Sequence, residues 1–191
     1  KMTTICSYTI EQYMKMIEDF HGSSAPGLLI GGFMVDLALK NKPECEFYDC
    51  ICETATCLPD AIQLLTPCTF GNGWLKVINA GRFALTVFDK YNGNGVRVNL
   101  SASKLENFPE IKNWFLKLKK KQEQDKDLLF REIIAAGASI LDIKEVKVSP
   151  DFIGKKKGSK ISLCSQCGEA YPVRERDNGK CLICDGLNLY L

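Results

Sequence analysis

The chain lacks any apolar run long enough to span a bilayer, and no stretch reads as a signal peptide. The expectation is a cytoplasmic, reducing location. It also lacks a charge bias. Twenty-five Lys and Arg face 23 Asp and Glu, for a net charge of +2. That balance argues neither for nor against an acidic partner, so any basic patch must be local. Histidine is nearly absent: His21 is the single one. There is no Rossmann glycine fingerprint, no iron–sulfur cysteine run and no evident molybdopterin site.

Cysteine is what the chain has in excess, ten in 191 residues. Four stand as Cys164-x2-Cys167 and, thirteen residues on, Cys181-x2-Cys184. This is the spacing of a structural four-thiolate zinc site. Each C-x2-C turn places two sulfurs on one side of a knuckle, and Gly168 follows the first pair where the backbone must turn around the metal. The segment has few apolar residues. Metal must therefore supply much of its folding energy, on the order of 10 kcal/mol. Four protein ligands leave no open position, so one Zn2+ per chain is expected to be structural. Disulfides are disfavoured in a chain with no mark of secretion.

The remaining 150 residues have room for one substantial core. Thr9 and Gln12 fit a capping box, and Ile10, Met14, Ile17 and Phe20 make one apolar face, predicting a helix to about Phe20. Pro26 opens a second helix through Lys40, with Gly27, Gly31 and Gly32 near its start. Glycines there cost helix stability, so close packing or a ligand needs the space. Residues 44–54 read as a strand and 59–65 as a short helix. Runs 74–79 and 82–90 read as strands joined into a hairpin at Ala80-Gly81. Asn92-Gly93-Asn94-Gly95 is a strong turn before a strand at 96–100. Helices over 108–124 and 127–138 and a strand over 140–148 follow. The lysines near the end of the first of these, Lys117, Lys119, Lys120 and Lys121, are explained by the helix dipole and a solvated face. Lys155–Lys160 reads as a basic linker. The order of elements predicts an α+β fold: a core of antiparallel sheet packed with helices over 1–154, a linker at 155–160 and a four-cysteine finger over 161–191.

In the core, soft and borderline ligands recur at loops and helix ends. His21, Cys57 and Cys68 would hold zinc or another borderline metal if their loops converge, with Glu53 or Asp60 as ligand or base. Spacing alone favours a plainer reading, in which Cys57 and Cys68 are small buried hydrophobes and His21 caps a helix C-terminus.

Three runs resemble motifs of the FmdE family, named for a component of formylmethanofuran dehydrogenase. Phe20-His21-Gly22-Ser23-Ser24-Ala25-Pro26-Gly27-Leu28 is similar to its F-H-G-H-x-C-P-G-L signature. Cys57-Leu58-Pro59-Asp60-Ala61-Ile62-Gln63 and Leu65-Thr66-Pro67-Cys68-Thr69-Phe70-Gly71-Asn72-Gly73 resemble C-x-x-D-A-I-Q and L-T-G-C-T-F-G-K-G, with Pro67 and Asn72 in place of Gly and Lys. The resemblance implies an α+β core that forms a homodimer, with a treble-clef zinc finger. It also implies association with molybdenum or tungsten oxidoreductases that interconvert carbon dioxide and a formyl carrier in methanogens. The match of His21, Cys57 and Cys68 to family motifs implies that they converge in one cleft near the start of the second helix, and since Ser23 and Ala25 stand where the family has His and Cys, a core metal is expected to bind weakly or not at all. The expected role is that of an accessory or regulatory component. A metal-dependent enzyme or metal carrier centred on His21, Cys57 and Cys68 is the alternative. A nucleic-acid-binding finger is a third, resting on Lys155, Lys156, Lys157, Lys160, Arg174, Arg176 and Lys180. Charge balance around a tetrathiolate zinc explains the same cations.

Overall fold

Thr9 starts the first helix, α1 (Ile10–His21), with a complete capping box: its hydroxyl accepts from the Gln12 N–H, and the Gln12 side chain accepts from the Thr9 N–H. A cap of this kind stabilises a helix by about 1 kcal/mol. Gly22 ends the helix at φ 83, in the left-handed region. Just before it, a two-stranded hairpin of β1 (Thr4–Ile5) and β2 (Tyr8–Thr9) has no signal in the composition. Cys6 turns it at φ 52, and its N–H is fixed by the Asp36 carboxylate at 2.8 Å. The computed structural model describes residues 3–153, 158–187 and 189.

Helix α2 (Pro26–Asn41) is the centre of the core. Ten of its sixteen residues are buried, because it packs on α1, on α3 (Leu58–Leu65), on the sheet and on α5 (Lys126–Ala136). Such a helix is apolar nearly all round. Its glycines are contact points within the chain. A Cβ on Gly31 would lie 2.8 Å from the Ala61 Cβ, one on Gly27 2.9 Å from the Cys57 Cβ, and one on Gly32 would overlap the Tyr13 ring. The buried Tyr13 hydroxyl is satisfied by the Leu28 carbonyl at 2.9 Å.

The sheet beneath α2 has five strands in the order β4-β3-β5-β6-β7. These are β3 (Tyr48–Cys52), β4 (Leu75–Val77), β5 (Ala84–Asp89), β6 (Asn94–Leu100) and β7 (Leu141–Lys147). Three pairings are antiparallel. β3 and β4 are parallel, joined across α3, so the sheet is mixed. The Ala80-Gly81 hairpin expected between β4 and β5 does not form. Glu53, just past the end of β3, takes both available bonds there. Its carbonyl accepts from Ala80 and Arg82, and the Cys52 carbonyl accepts from Ile78. The segment thus wraps around the end of β3 and returns on its other side. The turn before β6 forms as expected, with Gly93 at φ 76. Gly95 has no room for a side chain: a Cβ would sit 2.5 Å from that of Phe88.

The helix expected over 108–124 is much shorter. α4 (Pro109–Phe115) stops one turn before the apolar pattern does, and Lys117 turns the chain at φ 54. Four lysines in five positions beyond Leu116 would repel one another on a continued helix. A short turn of 3-10 helix, Lys121–Glu123, precedes α5, which Asp125 caps.

The chain divides into two compact units, 1–153 and 154–191. Residues 155–157 of the expected linker lie outside the described residues. In the second unit, β8 (Ile161–Leu163) and β9 (Ala170–Pro172) pair antiparallel. Among the described residues no helix is long and apolar enough to cross a membrane.

Candidate functional site

The turn between β8 and β9 carries the first cysteine knuckle. The Cys164 N–H donates to the Glu169 carbonyl and the Gly168 N–H returns to the Cys164 carbonyl, both at 2.9 Å, with Gly168 at φ 77. The second knuckle closes the same way: the Asp185 N–H donates to the Cys181 carbonyl at 2.9 Å. The sulfurs of Cys164, Cys167, Cys181 and Cys184 all lie within 4.8 Å of one another, and Cys167 and Cys181 are 3.9 Å apart. A tetrahedron with Zn–S bonds of about 2.3 Å has edges of about 3.8 Å. The thiols fit that tetrahedron, and zinc chemistry suits a donor set made only of sulfur.

The backbone N–H groups of Cys167 and Cys181 pull the Cys164 thiol down to about 6; the latter donates to its sulfur at 3.3 Å. Burial and the neighbouring Cys181 push Cys184 up to about 12. Metal binding here therefore releases protons. Around the knuckles, Asp177 accepts from the Tyr171 hydroxyl and the Gly179 N–H, both at 2.7 Å. Arg174 donates to the Lys180 carbonyl at 3.0 Å and to Asp185 at 3.1 Å, so its charge is committed within the finger.

In the core, the five candidate residues are distributed over three places. His21, the last residue of α1, has its Nδ1 2.7 Å from the Asp60 carboxylate on the first turn of α3. Cys57, immediately before α3, has the left-handed φ of 56 and packs against Gly27. Burial, and secondarily the Asp60 charge, raises its thiol pKa. Pro59 and Gly27 are the local reasons these elements meet: proline suits the first turn of α3, and glycine lets α2 approach the Cys57 side chain.

Glu53 is elsewhere. Arg97 on β6 grips its carboxylate with two bonds of 2.7 and 2.9 Å, and Arg82 adds a third at 2.6 Å. Hydrogen bonding to Arg97 is the main cause holding Glu53 below its ordinary range. A carboxylate so engaged is a structural ion pair. Cys68 is buried against the Tyr48 carbonyl at 3.5 Å and beside Cys50. The Cys50 thiol, donating to Cys68, lowers the Cys68 pKa; that contact and burial raise Cys50. Among the described residues the zinc-finger cysteines are the one group of three or more such side chains with ligand atoms within 4.8 Å. His21, Cys57 and Cys68 do not make a second one. The partners Arg97 and Cys50 escape sequence reasoning because they lie 44 and 18 residues from Glu53 and Cys68 with no local signal.

Two cavities open beside these groups. One, of about 590 Å³, has Cys57, Arg82, Arg97, Phe83, Trp114 and Phe115 in its wall. The other, of about 950 Å³, is bordered by His21, Ser23 and the segment after α4.

The family model described as "FmdE, Molybdenum formylmethanofuran dehydrogenase operon" matches residues 20–149, and the FmdE treble clef zinc finger model matches 155–191. A crystal structure of a tungsten formylmethanofuran dehydrogenase FmdE-like protein from Syntrophus aciditrophicus is 55% identical, with a TM-score of 0.90 over 100% of both chains. A "Probable S-adenosyl-L-methionine-binding protein" of Archaeoglobus fulgidus is 26% identical over 187 residues, 88% of this chain and 51% of that relative. The chain spans about half the length of that curated relative. The motifs read from His21, Cys57 and Cys68 thus lie inside one matched core and the four cysteines inside one matched finger, and the chain belongs to the FmdE family.

Proposed function

We propose that this chain is an accessory component of a molybdenum- or tungsten-dependent oxidoreductase of formyl-group chemistry, working in a reducing cytoplasm as a homodimer. The carrying observation is the whole-length likeness to the Syntrophus FmdE-like protein, core and finger together. In this reading the zinc finger is a rigid contact module. It presents Ile161, Leu163, Leu182, Leu187 and Leu189 largely exposed, an apolar content suited to contact with another protein.

The test is anaerobic affinity purification of the tagged full-length chain from its native cells, followed by molybdenum and tungsten analysis and by pterin fluorescence. A molybdenum or tungsten oxidoreductase at a fixed ratio to the chain supports the reading. A chain that elutes free of both metals and of pterin overturns it.

One observation favours a second reading, a metal-dependent enzyme or carrier. Asp60 orients the His21 imidazole in the manner of a carboxylate that backs a metal-binding histidine. Cys57 adds a thiol at the start of the same helix. Anomalous scattering at the zinc edge, comparing the protein with a Ser23→His, Ala25→Cys variant, tests it. A second zinc peak at His21 in the unaltered protein supports this reading, and a peak confined to the finger removes it. Calorimetry with S-adenosyl-methionine tests the ligand that the archaeal relative's name carries.

A further inference from the structure

The lysines that follow α4 are not part of that helix; Lys121 opens the short 3-10 turn before α5. The helix ends at Phe115, and the dipole effect fades within the last turn, so it does not account for Lys119, Lys120 and Lys121. Together with Lys117 and Lys126 they line the cavity of about 950 Å³, near the upper end of the range for small-molecule sites. Glu123 is the carboxylate on the same wall, and it accepts the Lys120 backbone N–H at 3.1 Å. Lys119 is paired with Glu110 at 3.3 Å, and Lys126 lies over the Phe130 ring at 5.6 Å. Among the described residues the ammonium groups of Lys117, Lys120 and Lys121 form no ion pair with a carboxylate.

Three uncompensated ammonium groups around one concavity repel one another. Lysines on a free surface turn outward and separate. Here Lys117 is held at the cavity by a left-handed backbone turn, a conformation that costs a non-glycine residue on the order of 1 kcal/mol or more. Ser23 and His21 border the same space and add a hydroxyl and an imidazole. Trp114 and Lys117 belong to the walls of both cavities, and in the neighbouring one Trp114 meets Phe83 edge-on at 6.4 Å, with Phe115 6.2 Å away.

We propose that the lysine-lined cavity binds the oligophosphate group of a small molecule. The proposal is independent of the partner assigned above. Lysine acts as a point charge toward phosphate, and several converging ammonium groups match a ligand with several anionic oxygens better than a monoanion. The concave form, with an indole and an imidazole in its wall, favours a small ligand over the extended backbone of a nucleic acid. The phosphates have two sources, a free polyphosphate or a nucleotide whose base rests on Trp114 and its neighbouring rings.

The experiment is calorimetric titration of the zinc-loaded full-length chain with tripolyphosphate, adenosine triphosphate, adenosine, inorganic phosphate and a 20-nucleotide single strand. It is run beside a Lys117→Gln, Lys120→Gln, Lys121→Gln variant. Tripolyphosphate or adenosine triphosphate should bind at least about tenfold tighter than inorganic phosphate. The triple variant should lose about tenfold or more, with an unchanged urea midpoint. Affinity of the unaltered protein should fall as salt rises, a readout that does not depend on the variant's folding. Tighter binding of the nucleotide than of tripolyphosphate identifies a nucleotide site, and equal binding identifies a free polyphosphate. The proposal is overturned if neither oligophosphate binds, if the triple variant binds as before, if adenosine binds as well as its triphosphate, or if the single strand outcompetes both.

Discussion

The Glu53–Arg97 pair gives the sharpest test of the core. Arg97→Met keeps most of the aliphatic stem and removes the guanidinium. Glu53 is then left buried with Arg82 as its remaining cation, and that side chain is 65% exposed and screened by water. Breaking one side of a buried ion pair costs about 3–5 kcal/mol; with Arg82 still present the loss should be about 2–3 kcal/mol at pH 7. Urea unfolding followed by tryptophan fluorescence reads the core alone, because Trp74 and Trp114 both lie in the first unit. The pH dependence supplies an independent sign. Glu53 is held below its ordinary value of 4.5 in the folded chain. Its contribution is therefore complete above that value and lost as pH falls through the lower folded pKa. In the variant this depression is relieved, so the stability gap between the two proteins should narrow as pH falls below about 4.5. A Glu53→Gln, Arg97→Met double variant should recover part of the loss, because no buried charge is left alone. A gap under about 0.5 kcal/mol, or one that stays constant from pH 7 to pH 3.5, refutes the assignment of Glu53 as a structural ion pair.

Chelation of zinc should open residues beyond 159 to protease and leave the first unit resistant, and Cys181→Ser should do the same; a protected tail in either case contradicts a metal-folded finger. Zinc analysis should return one ion per chain. Gly32→Ala should cost about 1–3 kcal/mol, because the new methyl meets the Tyr13 ring and the Ile5 side chain; a neutral urea midpoint would show that α1 and α2 are not locked there. Sedimentation of the full-length chain should give a dimer at micromolar concentration, and a monomer mass rejects that part of the proposed function.

Local chemistry is readable in the sequence, and chain-distant pairing is not. The Thr9–Gln12 box, the Asn92–Gly95 turn and each of the two C-x2-C pairs involve residues a few positions apart whose roles follow from backbone geometry. The order of β4, β3 and β5 depends on where the Glu53 carbonyl finds its donors, and Ala80-Gly81 alone reads as an ordinary hairpin turn. The end of α4 is hard to place because the apolar pattern continues to Leu118, a residue left largely exposed. His21 and Asp60 meet across 39 residues through the crossing of α1 and α3. Glu53 looks like a free carboxylate in the sequence because neither guanidinium that holds it belongs to its own strand.

The position of α2 has a consequence for synthesis of the chain. This helix is buried on most of its sides by α3, β5, β6 and α5, all of which follow it in sequence. β3 meets its first antiparallel neighbour only when residue 89 has been made. At about 5–20 residues per second, translation from Asn41 to Leu100 takes roughly 3–12 s. Throughout that interval the nascent chain carries a nearly all-apolar helix with no sheet to cover it. The β5–β6 hairpin, closed by a four-residue turn, is what ends the exposure. Slowing translation between Asn41 and Ala84 should lengthen the aggregation-prone interval, whereas slowing it after Ala136, the end of α5, should not.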